Sequence, residues 1–283
     1  MSLLHADFAS LESLLASPRL PVLFVGHGSP MNVIEDNPYR RSWQTLGAKF
    51  GVTWPKPQLI LCVSAHWLTD GWWLTGMARP RTIHDFGGFP PELFAQTYPA
   101  PGWPAAAREI SQSVMQPGTA LPLGVDLDGW GLDHGAWSVL KPMFPAADIP
   151  VLQLSMDYRR SPAEHVALGR QLRGLRERGV LIVGSGNIVH NLRAMRAASD
   201  PHDAYDWALA FDAAVTDDLL RADLTGLANF QQLGAMAQMA QPSHEHFLPL
   251  LYVAAAACEG ETPQFFNTDF QLASISMRSV LWG

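Results

Sequence analysis

"IPVLQLSMDYRRSPAEHVALGRQLRGLRERGVLIVGSG", residues 149–186, decides the architecture. Its two ends, "IPVLQLSM" (149–156) and "GVLIVGSG" (179–186), are near-continuous apolar runs rich in β-branched residues. That is the pattern of strands buried on both faces of a mostly parallel sheet. Between them, "SPAEHVALGRQLRGLRERG" (161–179) opens on Ser161-Pro162, a cap followed by a first-turn proline. It carries apolar residues at 166, 168, 172 and 175 and closes on Arg178-Gly179. Strand, helix, strand in this order is a βαβ crossover.

Two more runs of the same kind precede it, "LPVLFV" (20–25) and "QLILCVSA" (58–65). The expected fold is therefore α/β, a single domain whose mostly parallel central sheet is flanked by helices. Two further helices are predicted, over 205–223 and over 246–260. The second is apolar throughout, hence buried, with Pro249 in its first turn. The run 273–283 alternates roughly and reads as an edge or closing strand. Residues 67–103 hold four tryptophans among many prolines and glycines, and a loop of that length is usually functional. They are expected to form an ordered wall or lid over a site. The simpler alternative is a short hairpin at "GWWLTGM" with packing loops.

Bulk properties narrow the class. The chain has 283 residues, 48% hydrophobic and 16% charged, enough for one large core. A net charge of −7 without a Lys/Arg cluster argues against nucleic acid. No apolar run reaches the roughly 18 residues of a membrane span. The start of the chain lacks a basic region of the signal-peptide kind. Cys62 and Cys258 share no CxxC spacing. A soluble cytoplasmic protein, with neither membrane nor nucleic acid as partner, is the expectation; the sequence leaves the oligomeric state open.

The histidines carry the chemistry. His27 ends the first run, His66 the second ("SAHW"), and His190 follows the fourth ("GSGNIVHN"). Open α/β sheets bind ligands outside the carboxyl ends of their strands. Each histidine alone reads as a hydrogen-bonded loop residue, but three at equivalent ends predict one convergent site there. A metal is the expected occupant, because imidazole is its commonest ligand. "QPSHEHFLPLLY" (241–252) offers His244, Glu245 and His246. On an extended stretch neighbours face opposite ways, so Glu245 and His246 should not share a metal while His244 and His246 should share a side. The alternative there is a helix capped by Ser243 with His246 at its third position. "GLDHGAW" offers His134, a substrate donor or acid/base, with Gly135 allowing close backbone approach. His84 in "TIHDFGGFP" is a lesser candidate, and His5, His165 and His202 are expected to be solvated. Three neutral imidazoles suit zinc, and two histidines with a carboxylate suit non-haem Fe(II).

Taken together, "GHGSPMNVIEDN", "SAHW", "TIHDFGGFP", "YPAPG", "WGLDHGAW", "GSGNIVHN" and "EHFLPLLY" resemble the 4,5-DOPA dioxygenase extradiol family, within the class III extradiol ring-cleaving dioxygenases. The resemblance spans residues 20–283 and leaves 1–19 as an N-terminal extension. It implies a catechol substrate such as L-DOPA, opened with O₂ to a muconic semialdehyde-type product. It implies a metal held by His27, His66 and His246, with His190 near or on the metal as acid/base and His134 steadying the substrate. The wider class uses two histidines and a glutamate, whereas this subfamily favours His246 over Glu245. Fe(II) is implied for ring cleavage; Zn(II) also fits, but zinc has no accessible redox chemistry with which to activate dioxygen. On this reading, glycines bracket His27 so that it leans onto the metal while substrate approaches its backbone. A zinc-dependent hydrolase and a non-catalytic metal- or ligand-binding protein on the same fold are the rival classes. The substrate carboxylate has four candidate partners, Arg79, Arg81, Arg159 and Arg193.

Overall fold

The structure is a computed structural model and describes residue 8, residues 11–197, residue 200 and residues 203–283. His5 and His202 fall outside the described residues. In chain order the elements are β1 (Val22–Gly26), α1 (Pro38–Gly47), β2 (Leu59–Thr69), β3 (Trp73–Thr75), α2 (Pro91–Phe94), α3 (Pro104–Ser113), β4 (Gly124–Asp126), α4 (His134–Met143), β5 (Val151–Asp157), α5 (Pro162–Leu172), β6 (Val180–Gly186), α6 (Asp206–Leu220), α7 (Leu224–Ala228), α8 (Ala235–Ala240), α9 (Leu248–Ala256), β7 (Gln264–Phe266), β8 (Phe270–Gln271), β9 (Ile275–Ser276) and β10 (Ser279–Trp282).

The main sheet runs β4-β3-β5-β2-β6-β1-β10-β7. Its centre, β5-β2-β6-β1, is parallel, and the antiparallel joins β3–β5 and β1–β10 flank it. Alternate residues of these strands feed two separate cores. Val22, Phe24, Leu59, Leu61, Val63, Val180 and Ile182 pack under α3, α5, α6 and α9. Leu23, Val25, Ile60, Leu181 and Val183 pack under α1 and α4. Two apolar faces explain why the strands read as continuous runs rather than alternations. Each such leucine or valine contributes about 2 kcal/mol by leaving water.

The crossover forms α5, with Pro162 at its start and Glu164 accepting from the Ser161 backbone N–H at 2.9 Å. It tightens into a 3₁₀ turn over Arg173–Arg178 and stops at Gly179, whose φ of +70° suits glycine. The apolar helix forms α9, buried at every position, with Pro249 in its first turn. The C-terminal run departs from expectation. Its strand β10 lies inside the sheet, because Gln264–Phe266, not foreseen as a strand, pairs outside it as the edge. Nor do residues 71–77 form a hairpin, since β3 pairs with β4 and β5 instead.

Residues 11–19 lie against the body. Leu11 and Leu14 are buried, and Arg178 Nη2 donates to the carbonyls of both, at 2.6 Å to Leu11. His165, expected in solvent, is fully buried. Its Nδ1 lies 2.6 Å from the Tyr252 hydroxyl, which also accepts from Trp72 Nε1 at 2.7 Å. No helix of the described residues is long and apolar enough to cross a membrane.

Candidate metal centre

His27 leaves the carboxyl end of β1 with its backbone N–H on Gly186 O (3.0 Å). The flanking glycines have a different reason from the expected one. A Cβ on Gly26 would stand 2.6 Å from Met277 O, and Gly28 has a φ of +57° and packs on Met277 and Gln271. The chain leading into β10 crosses there, so Gly26 admits a neighbouring backbone and Gly28 a left-handed turn under two side chains, rather than a substrate.

His66 lies within β2, not at its end. Pairing with β6 stops at Ser64, and between the Val63–Leu154 and Leu68–Met156 pairs four residues of β2 face Ser155 alone. Such a bulge re-aims side chains at a sheet rim, and here it turns His66 toward His27. Their Nε2 atoms are 3.4 Å apart.

His246 comes from a turn just before α9. The extended geometry assumed for this stretch is absent, and Glu245 Oε1 lies 3.1 Å from His246 Nδ1. His244 points elsewhere, stacked on Tyr158 at 4.3 Å. His190, after β6, stacks face to face on His246, with ring centroids 3.5 Å apart and planes 10° from parallel. Ligand atoms of His27, His66 and His134 lie within 4.8 Å of one another, as do those of His190, Glu245 and His246.

The hydrogen bonds fix the ring tautomers. Ser185 Oγ donates to Gly135 O (2.6 Å), so toward His27 Nδ1 at 2.9 Å it accepts. A carboxylate can only accept, so His246 Nδ1 carries its proton toward Glu245. Asp85 Oδ2 lies 3.3 Å from His66 Nδ1 and 3.0 Å from His134 Nδ1, between the two rings and in line with neither N–H. Ser185 and Glu245 thus hold Nδ1–H on His27 and His246, and the carboxylate of Asp85 favours the same tautomer on His66 and His134; a ring so protonated turns a bare Nε2 lone pair away. Two lone pairs facing each other at 3.4 Å repel unless a cation lies between them. Two metal–nitrogen bonds at a tetrahedral angle would set that separation at about 3.4 Å. This donor set fits a metal ion.

Ring spacing separates ligands from neighbours. Imidazoles on one tetrahedral ion have centroids about 5.1 Å apart, and on an octahedral ion no closer than about 4.5 Å. The centroid pairs among His27, His66 and His246 are 5.2, 5.3 and 5.0 Å. The pairs His66–His134 at 3.9 Å and His190–His246 at 3.5 Å are closer than either spacing.

Electrostatics agree. Burial, and then the neighbouring histidines, hold His27 and His246 well below the ordinary imidazole value. His66 is lowered to about 3 by burial and His134, and His190 to about 4 by burial. All four are neutral at neutral pH, as ligands and proton acceptors must be. Burial alone would raise Asp85, but its contacts with His134, ring and amide, and with His66 outweigh it and keep the carboxyl below its usual value.

The supporting residues were the part that sequence reasoning missed. Asp85 stands beside His84 in "HDFGG", where a loop carboxylate gives no local signal of its partners. His84 instead donates from Nε2 to Gln96 O at 2.9 Å and packs on Phe86, Phe94 and Trp137. A carbonyl only accepts, so Nε2 is protonated there. Asp133 is fully buried, accepts from Ser64 Oγ (2.6 Å) and Gln153 Nε2, and caps α4 at the Ala136 N–H. Of the arginines, Arg81 donates to Gly129 O and Arg159 pairs with Asp70.

Comparison with known proteins follows the same line. Residues 21–280 match the family described as the catalytic LigB subunit of aromatic ring-opening dioxygenase. A protein of Escherichia coli (strain K12) named 4,5-DOPA dioxygenase extradiol is 44% identical over 280 residues, 96% of this chain and 98% of the relative. One of the same name from Beta vulgaris is 34% identical, over 87% of this chain and 90% of its own. The crystal structure of an uncharacterized Escherichia coli K12 protein superposes with a TM-score of 0.75 at 40% identity, covering 94% of this chain and 100% of that one. The chain belongs to the LigB family and is an extradiol ring-cleaving dioxygenase.

Proposed function

We propose that this protein opens the ring of a catechol, of which L-DOPA is the leading candidate, with O₂ beside the diol, giving a muconic semialdehyde-type product. Fe(II) is the working ion; Nε2 of His27, His66 and His246 would hold it, and when bound it would relay electrons from the catechol to dioxygen. Residues 20–283 form the catalytic domain, 1–19 are an extension of it, and the cytoplasm is its compartment.

The observation that carries the reading is the near-equilateral set of ring centroids, 5.0–5.3 Å, among three imidazoles with protonated Nδ1. His190, too close to His246 to ligate beside it, is the acid/base. As a neutral imidazole it accepts a phenolic proton and later returns it. His134 faces the substrate with its Nε2 lone pair and accepts a hydrogen bond from the second hydroxyl. The aromatic loop with Phe86 and Phe89 excludes water from the ring.

Oxygen uptake is the test. The protein is stripped of metal, reloaded anaerobically with Fe(II), given L-DOPA or plain catechol, and then exposed to air. Stoichiometric uptake with a coloured ring-opened product supports the reading. No uptake across several catechols, with bound metal verified, overturns it. Turnover of an ester or amide by the zinc form without air would instead favour the hydrolase.

A further inference from the structure

Asp85 belongs to no strand or helix. It sits in the aromatic loop, yet its carboxylate touches two histidines from two different elements. Oδ1 accepts the His134 backbone N–H at 2.9 Å, and Oδ2 lies between His134 Nδ1 (3.0 Å) and His66 Nδ1 (3.3 Å). The loop itself is pinned two residues before that contact, through both backbone groups of Ile83. Ile83 N–H donates to Leu132 O at 2.7 Å and Trp137 Nε1 donates to Ile83 O at 2.8 Å. Helix capping explains only Oδ1, which takes the first N–H of α4 beside the Asp133 cap; it does not explain Oδ2, which reaches the two rings.

We propose that Asp85 is a positioning residue that holds His66 and His134 together in the Nδ1–H tautomer, so that one loop carboxylate aims a metal ligand and a substrate-facing imidazole at once. This rests on the ligand set given above. Without Asp85, nothing among the described residues favours a proton on Nδ1 of either ring, since no side-chain hydrogen bond reaches those two atoms and Asp85 Oδ2 is the carboxylate oxygen beside both. Each ring then divides between two tautomers. Only one of them offers His66 Nε2 to the metal, and only that one lets His134 Nε2 accept from substrate. The aromatic loop is then more than a cover: its seating sets the direction of two rings beneath it.

The test reads tautomers directly. Side-chain ¹⁵N spectra of the full-length chain, metal-free and zinc-loaded, are compared for wild type, Asp85→Ala and Asp85→Asn, together with zinc affinity by chelator competition. Wild type should show His66 and His134 protonated at Nδ1 in both states. In both variants His134 should move to a tautomer mixture in the zinc form, and zinc affinity should fall about 10–100-fold. Asp85→Asn keeps the volume and decides the matter if Asp85→Ala does not fold. Unchanged tautomers and zinc affinity within twofold of wild type in a folded variant overturn the proposal. Wild-type rings protonated at Nε2 overturn it as well. Neither readout depends on oxygen chemistry. A wild type that shows the stated tautomers but takes up no oxygen with Fe(II) therefore refutes the function and leaves the positioning role standing.

Discussion

The imidazoles of His190 and His246 lie face to face, 3.5 Å between centroids, closer than two rings on one tetrahedral or octahedral ion would stand. His246→Ala should therefore abolish metal binding, whereas His190→Ala should keep the metal and lose about 10²–10⁴ in turnover, the span of a lost proton-transfer group. Metal content by elemental analysis, set beside oxygen uptake, separates the two. Loss of metal from His190→Ala would make it a ligand.

Ser185 links His27 to Gly135 through one hydroxyl. Ser185→Ala leaves a buried Nδ1–H without its acceptor and frees the ring to turn. Metal affinity should fall about tenfold or more, with the fold intact. Chelator competition on the purified variant measures it.

Gly135 faces the ring of His66. A Cβ there would sit 2.8 Å from His66 Cδ2 and press on Ser64 Oγ. Gly135→Ala should displace His66 and cost metal affinity more than melting temperature, because α4 accepts alanine readily. A drop in melting temperature with metal affinity unchanged would count against this placement of His66.

Tyr252 serves two buried groups, Trp72 Nε1 and His165 Nδ1. Tyr252→Phe strands both, and each stranded group costs about 1–3 kcal/mol. The variant should be destabilised by about 3 kcal/mol in urea, with metal content unchanged.

Arg176 is 1% exposed and meets Glu261 through two 2.7 Å contacts. Burial alone would raise the Glu261 carboxyl, but the hydrogen bonds from Arg176 and the Cys258 amide outweigh it and hold it below 4.5. A carboxyl lowered on folding stabilises above its unfolded value, and that contribution is lost as pH falls through the folded one. Glu261→Ala should cost about 3 kcal/mol at pH 7, where it leaves a buried guanidinium unpaired. The gap between variant and wild type should narrow below pH 4.5, which urea midpoints across pH would show.

The sheet and its crossover were legible because both faces of β1, β2 and β6 are apolar, so the strands announce themselves without alternation. His27 and His190 were legible as residues that follow such runs. What the sequence hid depends on contacts across the chain. The bulge that turns His66 inward arises from how β2 meets β5, which no local pattern encodes. The turn at Glu245 looked like extended chain because its shape is set by the packing of α9. Asp85 was passed over because a carboxylate in a loop is ordinarily solvated, and only the fold brings it to two rings. His165 misled for the converse reason, as a polar residue on an amphipathic helix whose outer side α9 covers.

The rings of His27, His66 and His246 arrive from near the start, the first quarter and the last sixth of the chain. A metal joining them acts as a reversible cross-link over very long loops, and no fragment of the chain assembles its seat. An ion held by these three rings, as proposed, would bind the completed fold alone, and its concentration would become a thermodynamic lever on folding. At a hundredfold excess over its dissociation constant it would add about 2.7 kcal/mol. Removing it should soften the whole molecule and not the rim alone, so starvation for the ion would lower the amount of folded protein along with its activity.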